Sequence, residues 1–169
     1  MRSLTKMLVA ALVCLTPGLL FAQIGDSPET KKPEPDQRVR VLLDDLGLKY
    51  EIDDDGDFKM VFEVGDSGRS QLVWIRSATE TYRELEIREI ISPGYKAESG
   101  DFPGVIALRL LEDNRQKKLG GWQKDGNMGI FVTHVGATVK ADTLHSAIIF
   151  AVEAADEMEQ KISGDKDEF

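Results

Sequence analysis

The chain has 169 residues, of which 30 are acidic and 21 are basic, so its formal net charge at pH 7 is −9. A surface of this sign repels nucleic-acid phosphates and anionic lipid head groups, which argues against both as partners. The length suits a single domain with its own hydrophobic core.

The amino terminus has the three-part organisation of a secretory signal peptide, which we expect to span residues 1–22. Arg2 and Lys6 give it a positive start, and residues 7–15 form an apolar run that is too short to span a bilayer. Ala22 supplies the small residue at the expected cleavage point. The sequence therefore predicts an exported protein, periplasmic or secreted, with no stable membrane anchor after cleavage.

Cleavage would also remove Cys14, the only cysteine of the chain. The mature part would then contain no disulfide, no thiol nucleophile and no thiolate metal site. Residues 23–36 are rich in proline and acidic side chains and carry little apolar surface, so they predict a flexible leader. The polar residues 163–169 likewise predict a disordered tail, which leaves 37–162 as the folded domain.

The first predicted element of that domain is a helix over about residues 36–46. Val39, Leu42, Leu43 and Leu46 recur at helical spacing, and Gly47 stands where a left-handed C-cap belongs. The pattern then changes to a period of two, which predicts four consecutive strands. These strands cover residues 49–53, 58–64, 71–77 and 82–91.

The fourth strand alternates cleanly, with apolar side chains at 85, 87 and 91 and charged ones at 84, 86 and 88. We therefore expect one face of this strand to be wet. A second helix is predicted from Pro103 to about 117, since proline suits the first helical turn. A hairpin over 119–124 and 128–135 follows, and a last helix over 142–162 has Asp142 as its expected N-cap.

The predicted order is α-β-β-β-β-α-β-β-α, which indicates an α+β, two-layer sandwich with an antiparallel sheet and helices. Residues 39–50 (VRVLLDDLGLKY), the segment 110–114 leading to 119–122, and the closing amphipathic helix resemble the YbjN-like family. The fold of that family is similar to that of type III secretion chaperones. The resemblance covers about residues 37–162, and it implies a non-enzymatic binding domain that can form dimers.

The acidic cluster 53–57 favours a turn over a metal site. Asp53, Asp55 and Asp57 fall at ligand positions of an EF-hand calcium loop, but Phe62 stands where the bidentate glutamate belongs. Asp-Gly between alternating apolar runs is typical of a hairpin. A weak divalent-cation site at these three aspartates is the alternative, and no cofactor is indicated.

Five further side chains have a structural and a functional interpretation. Asn114 falls within the apolar arc of the second helix, where a hydrogen bond to backbone would offset the cost of its burial. His134 and His145 have no nucleophile or second metal ligand at an interpretable spacing, which favours packing or solvation. Trp74 and Trp122 lie on strands and either join the core or line a ligand groove.

The last helix gives the partner-binding hypothesis. Its apolar stripe leaves out Ile149 and Phe150, which stand among polar residues, and two adjacent large apolar side chains there indicate contact with another chain. We expect Ile149, Phe150 and Val152 to bind the partner. Val41 and Val105 lie similarly off the stripes of their helices.

Together these features predict an exported, non-enzymatic protein that binds a protein or peptide, or a second copy of itself, through an apolar helix or sheet surface. The alternatives are a module that responds to divalent cations and a small-molecule binder with a pocket between sheet and helices. A hydrolase with scattered residues is the least favoured, because the sequence shows no catalytic constellation.

Overall fold

A computed structural model describes residues 33–66, 68–164 and 166–169. The predicted signal peptide and residues 23–32 of the predicted leader lie outside the described residues. Three helices and six strands follow in the predicted order, so the α+β sandwich is confirmed. The helices are α1 Gln37–Asp45, α2 Gly104–Asn114 and α3 Ala141–Ser163. The strands are β1 Glu51–Ile52, β2 Phe58–Val64, β3 Arg69–Tyr82, β4 Leu85–Lys96, β5 Gly120–Asp125 and β6 Met128–Gly136.

The strands form one sheet in the order β1-β2-β3-β4-β6-β5, and every neighbouring pair is antiparallel. Hairpins join β1 to β2, β2 to β3, β3 to β4 and β5 to β6. Helix α2 connects β4 to β5, so the chain returns at the edge of the sheet with β5, and β6 then pairs with both β4 and β5. In the centre, Ile75 pairs with Ile90, and Ile90 pairs with Thr133. These paired residues share one face of the sheet.

Helix α3 covers that face and supplies much of the core. Its buried apolar positions are Leu144, Ala147, Ile148, Ala151, Val152, Ala154, Ala155 and Met158. Small side chains let the helix approach the sheet closely: a Cβ at Gly94 would lie 3.0 Å from the carbonyl oxygen of Ala155 and 2.5 Å from the Trp122 ring. No helix among the described residues is long and apolar enough to cross a membrane.

Helix α1 is fixed at its amino end by a buried arginine. Asp36 is the N-cap and accepts a 2.8 Å hydrogen bond from the Arg38 amide, and the guanidinium of Arg88 donates to the same carboxylate at 2.5 Å. Arg88 also donates to the carbonyls of Arg76 and Ser77, which lie where the β3–β4 register shifts. The arginine thus satisfies carbonyls at an irregularity of the sheet and holds α1 against it.

Three local predictions need correction. Arg88, expected on a wet face, is only 2% exposed, because it shares the α3-covered face of β4 with Ile90. Asp142, expected as the N-cap of α3, lies in the first turn, and Lys140 takes the cap position without a side-chain bond. The tail predicted to be disordered makes specific contacts: Ser70 donates its amide to Asp167 at 3.2 Å, and the Glu168 amide donates to Glu159 at 2.7 Å.

Candidate functional site

The outward face of α2 carries the most exposed apolar side chains of any described helix. Val105 is 73% exposed, Leu108 63% and Leu111 61%. They recur every third residue, so they form one oblique stripe across the helix surface. Single exposed apolar residues are ordinary, but a contiguous set on one short helix is typical of a docking surface.

The opposite side of α2 anchors the helix on the outer part of the sheet. Leu110 is 4% exposed and packs over Gly129, where an added Cβ would lie only 2.8 Å from its Cδ1. Ile106 and Phe102 are partly buried against the same core. Because the helix is apolar on this inner side as well, its outer stripe is surplus to what the fold requires.

The carboxyl end of α2 is held in place by hydrogen bonds to β5. The side-chain oxygen of Asn114 accepts a 2.6 Å bond from the Trp122 amide, and Asp113 accepts a 2.8 Å bond from the Trp122 ring nitrogen. Lys117 adds a 3.1 Å ion pair to Glu157 of α3. These contacts fix the stripe relative to the sheet, so it is presented as a rigid surface.

The amino end of α2 has no side-chain hydrogen bond that caps it. Pro103 is the N-cap and makes no side-chain capping bond, and no acidic residue lies in the first turn. The first amides of a helix have no partner inside it and carry a partial positive charge. The outer face therefore presents apolar surface beside an electropositive helix end.

The predicted partner-binding residues of α3 lie deeper than the sequence indicated. Val152 is 3% exposed and belongs to the core, which removes it from any surface open to a partner. Phe150 is half-buried, and its ring centroid lies 5.8 Å from that of Phe131. Ile149 is also half-buried. The apolar stripe of α3 already included Val152, but it left out Ile149 and Phe150, because a helical wheel does not show that β6 brings Phe131 against the flank of the helix.

The signal for the α2 face was present in the sequence as an excess of apolar residues. Six of the seven positions from 105 to 111 are large apolar residues or alanine, on the inner and outer arcs alike, and only Arg109 is polar. A short helix cannot bury them all against one neighbour. The sequence pattern placed Val105 off the stripe of its helix, but it did not single out Leu108 or Leu111.

The acidic turn uses its carboxylates as backbone acceptors. Asp53 accepts from the amides of Asp55 and Asp57 at 3.0 and 2.9 Å. Asp57 accepts from the Ser77 amide at 2.6 Å and pairs with Arg76 at 3.2 Å. Burial raises the pKa of Asp57. Within the described ranges, no three histidine, cysteine or acidic side chains are grouped so that they could hold a metal ion.

The remaining candidates have structural environments. Trp122 is 6% exposed and joins the core, whereas Trp74 lies on the opposite face of the sheet and is half-buried. His134 is exposed and lies 3.3 Å from a carboxylate oxygen of Glu89, and His145 is half-buried on α3. Asn114 makes the backbone bond expected of it.

A buried ionic cluster ties the carboxyl-terminal tail to α3. Arg69 donates to Asp156 at 2.7 Å, to Glu159 at 2.9 Å and to the carbonyl of Lys166 at 2.9 Å. Burial raises the pKa of Glu159, against the opposing effect of the Glu168 amide and of Arg69. The acids hold the pKa of Arg69 above its ordinary value. This cluster accounts for the ordered contacts of residues 166–168.

A cleft of about 420 Å³ lies beside the tail. It is lined mainly by polar and charged residues, among them Lys96, Glu98, Asp101, Lys166 and Glu168. Small-molecule sites are generally lined by apolar side chains with a few converging polar groups. The composition of this cleft therefore gives little support to a small-molecule site.

No model of a protein family matches the chain, and no curated protein matches it significantly.

Proposed function

We propose that this chain is an exported, non-enzymatic protein-binding domain of the YbjN-like type, and that it binds a protein partner through the apolar outer face of α2. The observation that carries the proposal is the exposure of Val105, Leu108 and Leu111 on a helix whose inner face is already anchored. The signal-peptide pattern of residues 1–22 supports a partner in the periplasm or outside the cell.

The size of the face supports reversible binding. Complete burial of one valine or leucine side chain contributes about 1.5–3 kcal/mol. Since the three side chains are on average about two-thirds exposed, covering them would contribute about 3–6 kcal/mol. Association itself costs about 4–15 kcal/mol in lost freedom. The partner must therefore add its own contacts around the stripe, and the complex should exchange readily.

The acidic turn supports a cation-responsive function less well. A cation at Asp53 and Asp57 would compete with the amide bonds that these carboxylates already accept. It would also compete with the ion pair between Asp57 and Arg76. The α2 face has no competing occupant among the described residues, which is why we prefer it.

Site-specific photo-crosslinking in cells tests the proposal. A photo-reactive amino acid is placed at position 108 of the full chain and, as the matched control, at Leu85, which is 62% exposed on the sheet. We expect polypeptide adducts from position 108 that position 85 does not give. The double variant Val105→Asp with Leu111→Asp should suppress them while the chain remains folded. If position 108 yields no polypeptide adduct of any mass, the proposed docking face is wrong.

A further inference from the structure

We propose that this chain has a second binding site, a groove beside Arg69 that takes a short acidic peptide, and that residues 166–168 of its own tail are a displaceable occupant of that groove. A partner protein with an acidic segment of the same chemistry would bind by replacing the tail. The existence of this site does not depend on the docking face of α2.

The groove holds the tail through its backbone. The guanidinium of Arg69 donates to the carbonyl oxygen of Lys166 at 2.9 Å, and the amide of Glu168 donates to the carboxylate of Glu159 at 2.7 Å. A charged group takes part in both bonds, and such bonds are stronger than neutral ones. Every peptide offers a backbone carbonyl, and every residue except proline offers an amide, so a segment of another protein can make the same two bonds.

One side chain of the tail adds a preference for acid. The carboxylate of Asp167 accepts from the backbone amide of Ser70 at 3.2 Å and lies 4.0 Å from the guanidinium of Arg69. The hydroxyl of Ser70 donates to the same carboxylate at 3.4 Å. The groove therefore recognises a carboxylate between one backbone acceptor and one backbone donor.

The groove needs an occupant of this kind. Glu159 is fully buried and Arg69 is only 9% exposed, so bulk water reaches both groups poorly. Loss of the tail would remove a hydrogen-bond partner from each of them, which is costly for charged groups in such a place. A peptide that restores these partners is thus favoured over an empty groove.

The tail is held in a way that permits exchange. Lys166, Asp167 and Glu168 are exposed, and only Phe169 is half-buried, so the tail buries little apolar surface. It leaves α3 at Gly164, whose φ of 66° favours glycine and allows the chain to change direction there. Occupancy by the tail therefore depends largely on its covalent attachment, which gives it a high effective concentration beside the groove.

The space around the tail can hold a longer peptide. Two clefts of about 420 Å³ each adjoin Glu168, one towards Ile162 and the other towards Asn127. Lys96 and Glu98 line both clefts, so flanking side chains of either sign can find a partner there. The selection for acid then comes from Arg69 and Ser70 rather than from the flanks.

An opened variant and a free peptide test the proposal by NMR. In the full chain, Asp167→Lys with Glu168→Pro removes the carboxylate and one backbone donor of the tail and leaves the groove residues unchanged. The amide signal of Ser70 should then move upfield, because it loses its carboxylate acceptor. A synthetic peptide with the sequence of residues 164–169 should return the signal towards its position in the parent. The peptide should bind the parent at least about tenfold more weakly, since the attached tail competes at an effective concentration on the order of millimolar.

Three controls accompany this titration. A peptide with asparagine in place of Asp167 should bind the opened variant about fivefold more weakly, because a bond to a charged acceptor is stronger than one to a neutral acceptor. Glu153→Lys, a change of acid to lysine at an exposed position of α3, should leave the Ser70 signal and the peptide binding as in the parent. Glu168→Pro alone is the milder variant, and its affinity for the peptide should lie between those of the parent and the opened variant.

The amide signals of Ile75 and Ile90 in the core report whether each variant is folded. If the Ser70 signal of a folded opened variant does not respond to the peptide, the groove is not a peptide site and the proposal is wrong. Equal affinity of the peptide for the parent and the opened variant would show that the tail does not compete for the site, and would also overturn it.

Discussion

Replacement of Arg69 by methionine should lower the free energy of unfolding far more than an ordinary surface substitution does. Methionine replaces the unbranched stem of the side chain but removes the guanidinium that faces Asp156 and Glu159. Glu159 is fully buried and Asp156 is only 9% exposed, so neither can regain the lost interaction from water. The variant therefore keeps two buried acids without their common cation.

Removal of one partner from a buried ion pair costs about 3–5 kcal/mol. For a chain of this size, each kcal/mol lowers the melting temperature by about 2–4 °C. We therefore expect Arg69→Met to melt roughly 6–20 °C below the parent near neutral pH. The tail should also loosen, because Arg69 donates to the carbonyl of Lys166.

The loss should depend on pH with a definite sign. Burial raises the pKa of Glu159 above its unfolded value, and removal of the nearby cation raises that pKa further. A carboxyl whose folded pKa is raised favours the folded state when protonated, and this contribution is lost as pH rises through the folded pKa. The deficit of Arg69→Met should therefore be largest near neutral pH and should shrink as pH falls through the raised folded pKa of Glu159.

Thermal and urea unfolding followed by circular dichroism at pH 7 and pH 4.5 measures both effects. Arg109→Met is the matched control, because Arg109 is exposed and donates a single 3.1 Å bond to the carbonyl of Lys161. It should cost less than about 1 kcal/mol. The reasoning fails if Arg69→Met is as stable as Arg109→Met at pH 7. A deficit that widens on acidification would refute the sign of the Glu159 shift.

Three further changes test other contacts. Asn114→Ala should lower stability by about 1–3 kcal/mol, measured by urea unfolding, since it leaves the Trp122 amide without its acceptor. Asp53→Ala should lower stability by about 1–2 kcal/mol, because two backbone amides lose their acceptor, whereas Asp55→Ala should leave stability nearly unchanged. Titration calorimetry with calcium should show equally little heat for the two variants and for the parent. Asp36→Asn should be less stable than the parent at neutral pH, and the difference in their free energies of unfolding should shrink as pH falls below about 4. The neighbouring guanidinium holds the folded pKa of Asp36 well below its usual range, so its stabilisation is full above the unfolded pKa and is lost as pH falls towards the folded pKa.

The periodicity of the apolar residues predicted most of the helices and strands. The spacing of Val39, Leu43 and their neighbours placed α1 to within a residue at each end, and the alternation from Phe58 placed β2 with both its bounds. The long hairpin of β3 and β4 was cut short in the prediction, since β3 continues to Tyr82 past the register shift. An alternating pattern does not reveal where a strand bends, so the extension could not be read from residue types.

The assignment of the faces of β4 could not be made from the strand alone. Arg88 shares its face with Ile90 and the opposite face carries Ile87 and Ile91, so apolar residues stand on both sides. The structure resolves the ambiguity through the two carbonyls of the β3 irregularity and through Asp36, which together make burial of the guanidinium tolerable. Those partners are 11 to 52 residues away in sequence. No local pattern contains them.

The same limit explains why the sequence pattern predicted an exposed apolar surface on α3 and not on α2. A helical wheel shows which residues leave a stripe, but exposure depends on how many layers surround the helix. Helix α3 lies on the centre of the sheet, where even Phe150 reaches Phe131, so its off-stripe residues are still covered. Helix α2 packs at the β5 edge, where the sheet ends and nothing described covers its outer arc. An apolar residue such as Leu108 therefore stays exposed at the margin of the sandwich, and the margin is where a protein of this architecture can bind a partner without disturbing its own core.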